Sequence, residues 1–299
     1  MVVDYTKPPL TYEQQVALLQ SRGLIVNNVA ETIKFLQQVS YYRFSAYCIP
    51  FQKPRDVFLP GITFEKIVEL YRLDEELRIS LMALLSPIEV FLRSRTIYEL
   101  SRTWGAYAHC NSAIFFNKEK HSKWLTDLEE DTQKSKEKFL EHYKEKYNGF
   151  PRLPIWMACE IMSFGCLSDL YGNLSSVAQS QISSIMGVRD NVFKSWFHVI
   201  TYLRNISAHH GRLWNLELAI RPLIPDKDKQ WLALNLNNTH LFPSIVIAEW
   251  ICHKANLPIC AIEPVYETMR KIAALDTRFA TMMGVPAGRN IGMCWENLK

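Results

Sequence analysis

Side chains suited to chemistry on a phosphodiester are concentrated in one short segment, residues 202–215. Imidazole titrates near neutral pH, so a histidine in this segment can accept or donate a proton. Guanidinium offers planar donors to phosphate oxygens and to the charge that develops on them in a transition state. An asparagine amide can hold a phosphate oxygen or orient a histidine. The candidate residues are Arg204, Asn205, His209, His210 and Arg212.

The spacing of Arg204 and His209 restricts how these two side chains can meet. Five residues along a straight helix turn about 140° around its axis, so Arg204 and His209 do not share a face, whereas Asn205 and His209 do. Either the helix ends near Ser207, or the two side chains meet across the two-fold axis of a dimer. A long arginine side chain could also swing within one chain.

Structural roles compete with catalytic ones in this segment. A histidine pair that follows a helix often caps the helix or packs against its end, and Arg212 could simply pair with a carboxylate. The side chains of adjacent His209 and His210 diverge, and no further ligand follows at metal-binding spacing. The sequence therefore predicts no metal site here.

Other candidates precede this segment. Glu89 and Arg93 are an i,i+4 pair on a long predicted helix, where a structural salt bridge is the default, although the pair could equally orient an active-site arginine. Glu160 lies among apolar neighbours, which predicts a buried carboxylate with a cationic partner. Nothing marks Cys159 or Cys166 as a low-pKa nucleophile, so both are predicted to be buried thiols.

Apolar residues recur at helical spacing along almost the whole chain. Thr11 followed by Gln14 is a capping box, and Asn28 followed by Glu31 repeats the signal. Pro87 falls inside the longest pattern and is expected to kink that helix. No stretch alternates convincingly as a strand, so the predicted fold class is all-α. Helices are predicted over about residues 12–22, 28–39, 64–92, 118–146, 156–171, 175–186, 189–207, 243–253 and 263–275.

Composition narrows the class of protein. The 299 residues are 48% hydrophobic and 21% charged, which excludes wholesale disorder, and the net charge of +4 is compatible with nucleic acid without arguing for it. No stretch suits a transmembrane helix or a secretory signal, so no membrane contact is expected. Seven scattered cysteines without a Cys-x-x-Cys pair favour a reduced, cytoplasmic compartment. The fingerprints of P-loop, serine-hydrolase and dinucleotide enzymes do not occur.

Several segments together resemble bacterial abortive-infection proteins of the AbiD/AbiF type. The spacing Arg204-Asn205-x-x-x-His209 resembles the Arg-x(4–6)-His signature of the HEPN superfamily. The blocks follow family order over roughly residues 10–215, and the matches from residue 216 onward are less distinctive. The blocks that carry the resemblance are residues 41–47, 64–78, 88–93, 156–168 and 204–215.

The resemblance implies a fold, a function and partners. The implied fold is a HEPN-like helical core over residues 61–215, with an N-terminal helical segment over 1–60 and a C-terminal helical extension over 216–299. The implied function is phage defence by abortive infection, in which infected cells stop growing or die, through a metal-independent ribonuclease. The implied partners are an RNA substrate, a second copy of the chain, and a small regulatory non-coding RNA that restrains some such proteins, as in a toxin–antitoxin pair.

Roles also follow from the resemblance. His209 transfers a proton, Arg204 clamps the phosphate and Asn205 supports the site, while the substrate's 2′-OH attacks phosphorus and leaves a 2′,3′-cyclic phosphate. No cofactor is implied, because the nucleophile belongs to the RNA. His210 competes for the catalytic role, and His209 is favoured because it shares a helical face with Asn205. The other interpretation is a non-catalytic RNA- or protein-binding HEPN module. The supporting or alternative residues are His210, Arg212, Glu89, Arg93 and Glu160.

Overall fold

The computed structural model describes Asp4, Thr6 and residues 8–295. The predicted all-α class is confirmed, because these described residues form fourteen α-helices and only isolated β-bridges. Short 3-10 turns and loops join the helices. The helices are α1 (Tyr12–Ser21), α2 (Val29–Val39), α3 (Tyr41–Cys48), α4 (Phe64–Trp104), α5 (Lys118–Lys134), α6 (Lys138–Lys146), α7 (Ile155–Ile161), α8 (Phe164–Asn173), α9 (Ser176–Ser183), α10 (Asp190–Ala208), α11 (Lys229–Ala233), α12 (Leu241–Lys254), α13 (Ile262–Leu275) and α14 (Phe279–Met282).

The capping signals at the start of the chain are confirmed. The Thr11 hydroxyl accepts the Gln14 backbone N–H at 3.3 Å, and the Gln14 side-chain oxygen accepts the Thr11 N–H at 2.9 Å. The Asn28 side chain accepts the Glu31 N–H at 3.1 Å. Each contact satisfies a backbone donor that the first helical turn leaves unpaired, and so fixes where α1 and α2 begin.

Two predicted helices are each divided in two, which corrects those predictions. The pattern over 118–146 breaks after α5, where Ser135 has extended backbone angles, and α6 begins at Lys138. The pattern over 156–171 breaks between α7 and α8, where the Ser163 hydroxyl accepts the Cys166 N–H at 3.1 Å. A serine cap interrupts a helix without disturbing the apolar spacing on either side, so periodicity alone does not reveal the break.

The described chain forms two compact units. One contains residues 1–76 and 271–277, and the other contains residues 77–270 and 278–299, so α4 and α13 contribute residues to both. The division at residues 60 and 215 stays a prediction.

An aromatic cluster forms the core of the first unit. Phe35 of α2 meets Phe44 of α3 and Phe64 of α4 edge to face, with ring centroids 5.7 and 5.5 Å apart. Beside this cluster, Tyr47 is buried and donates its hydroxyl to Asp74 at 2.6 Å. The aromatic residues of α3 therefore serve the core through Phe44 and Tyr47, as an apolar stripe does.

Helix α10 is central to the second unit. Nine of its nineteen residues are buried, and it packs against α8, α9 and α12. Tyr171 of α8 contacts Phe193 and Phe197 of α10, with ring centroids 5.5 and 5.3 Å apart. Packing of this apolar face fixes the helix and thereby positions the polar residues on its other face and at its C-terminal end.

Candidate active site

Helix α10 ends where the candidate residues cluster. Its last helical residue is Ala208, and His209 is the C-cap, whose N–H donates to the Asn205 carbonyl at 3.0 Å. His210 then takes a left-handed backbone with φ of 57°. This result agrees with one of the three arrangements considered for Arg204 and His209, in which the helix ends near Ser207.

The turn after α10 is a Schellman motif with a histidine at the left-handed position. The His210 N–H donates to the Ser207 carbonyl at 3.2 Å, and the Gly211 N–H donates to the Ile206 carbonyl at 2.9 Å. Glycine is required at 211, because a Cβ there would lie 2.7 Å from Cγ2 of Ile206. Glycine or asparagine ordinarily fills the left-handed position, and a histidine there costs about 1 kcal/mol.

Buried groups hold this turn in place. Arg78 of α4 is only 4% exposed, and its Nη1 donates to the Gly211 carbonyl at 3.2 Å. Leu213 and Trp214, two and three residues further on, are fully buried. Sequence reasoning did not identify Arg78 as part of this site, although it lies in one of the blocks that carry the family resemblance. The two histidines are thus presented on a turn anchored on its C-terminal side.

Glu89 of α4 joins two arginines from different helices. One carboxylate oxygen accepts from Nη2 of Arg93 at 2.9 Å, and the other lies 3.0 Å from Nε of Arg204. Arg93 Nη1 also donates to the carbonyls of Cys159 and Met162 at 2.7 and 2.8 Å. The Glu89–Arg93 pair is therefore a salt bridge, as one of the two interpretations from sequence holds, and its carboxylate also orients Arg204.

The charges of this triad do not cancel. Two guanidinium groups share one carboxylate, which leaves one net positive charge beside α10. Burial by itself lowers the pKa of Arg93, but the hydrogen bond that Arg93 donates to Glu89 and the neighbouring charges outweigh this effect, so the pKa lies above its ordinary value. Because the side chains of Arg204 and Glu89 are 32% and 13% exposed, the cluster is reachable from solvent while it is partly shielded from it.

Arg204 is fixed at two of its nitrogens and retains donors for a ligand. Nε faces Glu89, and Nη1 donates to Oδ1 of Asn205 at 3.1 Å. A guanidinium carries five N–H donors in a rigid fork, so several are left for phosphate oxygens. His209 follows Asn205 by one helical turn and is exposed, and its ring forms no hydrogen bond or ion pair with another described residue.

The structure does not bring Glu160 into this cluster. The sequence predicted a buried carboxylate with a cationic partner, and this prediction is wrong, because Glu160 is exposed on α7. The buried side of that seven-residue helix is formed by Ile155, Ala158 and Cys159, so Glu160 faces solvent. Arg93 binds the carbonyl oxygens at the end of α7 instead of the carboxylate. Arg212 is half-buried in the turn after His210.

The thiols near the cluster are poorly suited to nucleophilic chemistry. Burial raises the pKa of Cys159 to about 11 and that of Cys166 to about 12. Both thiols are therefore protonated at neutral pH. Cys159 is buried as predicted, whereas Cys166 is only half-buried, which corrects the prediction for that residue. Among residues 8–295, no group of three or more His, Cys, Asp or Glu side chains is arranged to hold a metal ion. No helix of the described chain is long and apolar enough to cross a membrane.

Comparison with known proteins gives one match. A family model described as "Abi-like protein" matches residues 34–215, which is more than half of the 299 residues. The matched range includes α10, the turn after it, the Glu89 triad and Arg78. No curated protein and no solved structure matches the chain.

Proposed function

Because the chain belongs to the Abi-like protein family, we propose that it is an abortive-infection effector that cleaves RNA with the residues at the end of α10. Family membership supports a role in phage defence by abortive infection. The reaction, the HEPN relationship and the identity of the catalytic residues are the finer parts of this proposal. They rest on the resemblance of the Arg-x4-His spacing and on the geometry around Arg204.

The observation that carries the proposal is the fixed guanidinium of Arg204, held by Glu89 and Asn205, at the end of the helix that His209 caps. Glu89 and Asn205 hold Arg204 at 3.0 and 3.1 Å, so its remaining donors are oriented before a ligand arrives. Donors that need no reorganisation stabilise developing charge best. His209 lies one turn beyond Asn205 with its ring accessible, as a proton-transfer group requires.

The proposed reaction needs no nucleophile from the protein. The substrate's 2′-oxygen attacks the neighbouring phosphorus, its proton passes to His209, and the bond from phosphorus to the 5′-oxygen breaks. The 5′-oxygen leaves with a proton relayed by the same imidazole. The products are a 2′,3′-cyclic phosphate and a 5′-hydroxyl. Arg204 neutralises the charge that develops on the non-bridging oxygens, and only RNA is a substrate because DNA lacks the 2′-OH.

Two partners belong to the same proposal on the strength of the resemblance. The chain forms a homodimer, and a small regulatory RNA restrains it until infection. Light scattering tests the first statement, since a monomer with full activity at working concentration would contradict it. Sequencing of RNA that co-purifies with the chain tests the second, since one defined small RNA is expected.

A non-catalytic RNA- or protein-binding module is the second candidate function. The observation that favours it is the engagement of Arg204 by Glu89, since an arginine held in an ion pair can serve structure alone. In that case, the exposed histidines contribute to binding, and substitution of either Arg204 or His209 leaves RNA intact.

Expression in a bacterial host distinguishes the two candidates. Wild type is expected to arrest growth and fragment cellular RNA, whereas His209→Ala and Arg204→Ala are expected to do neither. His142→Ala and Arg221→Ala are the matched controls, because both residues are exposed and lie outside the site. Circular dichroism verifies that all variants fold equally. Arrest by both site variants at the wild-type level would overturn the nuclease proposal.

A further inference from the structure

A stripe of polar side chains runs along the accessible face of α10. His198, Tyr202, Asn205 and His209 are spaced by four, three and four residues, which places them on one face of the helix. His198 and His209 are exposed, and Tyr202 and Asn205 are half-buried. The stripe therefore extends about 16 Å back from the candidate active site, at 1.5 Å per residue.

A small cavity opens beside this stripe, between α8, α10 and the loop after α10. Its volume is about 180 Å³, well below the roughly 300 to 1,000 Å³ of sites for drug-sized ligands, so it suits a single planar ring. Six of the eight residues that line it carry a hydroxyl, amide, imidazole or carboxylate group. The lining residues are Gly165, Ser168, Asp169, His198, Thr201, Tyr202, Asn205 and Ile220.

The chemistry of the lining favours a nucleobase over a phosphate. Among the described residues that line the cavity there is no lysine or arginine, and the carboxylate of Asp169 is paired with Nζ of Lys120 at 3.0 Å. An anion would find no fixed cation there. Proteins that bind unstacked RNA bases place them against Tyr and His rings and read their edges with hydroxyl and amide groups, which are the groups this cavity offers.

Asn205 connects the cavity to the phosphate clamp. Its side chain lines the cavity and also accepts a hydrogen bond from Arg204 at 3.1 Å. A base in the cavity and a phosphate on Arg204 would thus lie on two sides of Asn205. This arrangement suits the base and the phosphate of one nucleotide, or of two adjacent nucleotides.

We propose that this cavity binds one unstacked base of single-stranded RNA next to the scissile phosphate, with His198 and Tyr202 as the residues that determine sequence preference. This inference rests on the proposed ribonuclease function, whose site it extends. It adds a base subsite on α10 to the phosphate site at the helix end. A base that stacks on Tyr202 and matches the polar lining holds the neighbouring phosphate at Arg204 and His209. Cleavage is therefore restricted to particular positions in the RNA sequence.

Gly165 allows the cavity to be filled without removing a polar group. A Cβ at this position would meet only Oγ of Ser163, at an ordinary 3.6 Å, and the residue is helical without a left-handed φ. Gly172, two turns further along α8, offers a matched control, because its Cβ would meet only Cε of Lys194 at 3.6 Å and it does not line the cavity. Gly165→Leu and Gly172→Leu therefore place the same side chain on the same helix, inside and outside the subsite.

The test measures binding and cleavage separately. Fluorescence anisotropy with labelled single-stranded RNA oligonucleotides of varied sequence is performed on His209→Ala protein, in which binding proceeds without cleavage. Gly165→Leu and Tyr202→Ala in this background are expected to weaken binding 10- to 100-fold, as the loss of one stacked base does, and to flatten the sequence preference. Gly172→Leu is expected to bind like its parent. In otherwise wild-type protein, His198→Ala is expected to shift the cleavage positions in a fixed RNA.

The outcomes separate this inference from the proposed function. If Gly165→Leu and Gly172→Leu bind RNA equally and the His198→Ala cleavage pattern is unchanged, the base subsite is overturned even though the ribonuclease stands. If wild type does not cut RNA but Gly165→Leu and Tyr202→Ala lose RNA binding that Gly172→Leu keeps, the base subsite stands and the proposed reaction fails. The inference would also be overturned if a protein partner occupied the cavity and RNA binding did not respond to Gly165→Leu, Tyr202→Ala or His198→Ala.

Discussion

Two carboxylates of the second unit, Glu89 and Glu249, contrast in what surrounds them. Glu89 is 13% exposed and is shared by the guanidinium groups of Arg93 and Arg204. Glu249 of α12 is fully buried and accepts from the Tyr266 hydroxyl at 2.8 Å and from the backbone N–H groups of Cys294 and Trp295 at 2.9 and 2.8 Å.

The contrast suits the two carboxylates to different roles, with Glu89 in the proposed site and Glu249 in the fold. Three neutral donors bind Glu249 and fasten the segment around residues 294–295 to α12. Nε2 of His253 lies 4.0 Å from one of its carboxylate oxygens. Burial raises the pKa of Glu249, and the hydrogen bonds that it accepts oppose that shift only in part. Glu89 instead holds arginines whose combined charge exceeds its own. Because an RNA phosphate requires excess positive charge, the proposed function assigns phosphate binding to the Glu89 triad and a structural role to the Glu249 site.

The largest effect is expected from Glu249→Ala. The change leaves two backbone N–H groups and the Tyr266 hydroxyl without their acceptor in a buried site, which costs about 3 to 5 kcal/mol of unfolding free energy. Urea denaturation measures this loss, and cleavage per folded molecule is expected to stay unchanged. Glu249→Gln keeps one acceptor oxygen and is expected to lose less. A stable Glu249→Ala protein with reduced cleavage would reverse the roles assigned to the two carboxylates.

Glu89→Gln is expected to produce the opposite pattern. Arg204 loses its charged partner and its fixed orientation, so RNA cleavage falls about 100-fold, while unfolding free energy falls by about 1 kcal/mol because the site is partly exposed. Single-turnover cleavage and urea denaturation measure the two quantities. Glu130→Gln removes an exposed i,i+4 ion pair with Lys134 and serves as the control, with no effect on either. Full cleavage by Glu89→Gln would show that orientation of Arg204 is unimportant.

His210→Gly tests which histidine transfers the proton. Glycine removes the cost of a left-handed histidine, so unfolding free energy is expected to rise by about 0.5 to 1 kcal/mol. Cleavage is expected to persist within a few-fold, because the proposed mechanism assigns proton transfer to His209. Thermal unfolding and single-turnover cleavage measure the two effects. Loss of cleavage equal to that of His209→Ala would assign the proton transfer to His210.

The smallest effect is a pH dependence at Glu249. Its pKa is raised in the folded chain above the ordinary 4.5, so folding takes up a proton. The resulting stabilisation is complete below the unfolded pKa and is lost as pH rises through the folded pKa. The stability advantage of wild type over Glu249→Gln is therefore expected to shrink as pH rises above about 4.5. Thermal unfolding at a series of pH values measures it, and an advantage that stays constant would contradict the stated cause.

Local signals in the sequence predicted the elements of the site more accurately than its contacts. The apolar pattern of α10 predicted its C-terminal end within one residue, since helix boundaries depend on neighbouring residues. The i,i+4 spacing predicted the Glu89–Arg93 pair for the same reason. The contact of Glu89 with Arg204 depends on how α4 packs against α10, which no local pattern encodes.

Errors arose where burial depended on tertiary packing. Glu160 was predicted to be buried because its sequence neighbours are apolar, yet α7 is short and turns that residue to solvent. Arg78 was overlooked because its partner, the Gly211 carbonyl, lies 133 residues away. The cavity beside His198 could not be predicted from the sequence either, because residues of α8 and α10 form it together.

The most direct test of the central claim is incubation of purified protein with end-labelled RNA in EDTA. Wild type and the His142→Ala control are expected to cleave and leave 2′,3′-cyclic phosphate and 5′-hydroxyl ends, whereas His209→Ala is expected to leave the RNA intact. Cleavage by wild type and His209→Ala at equal rates, or loss of wild-type cleavage in EDTA, would contradict a metal-independent ribonuclease centred on His209.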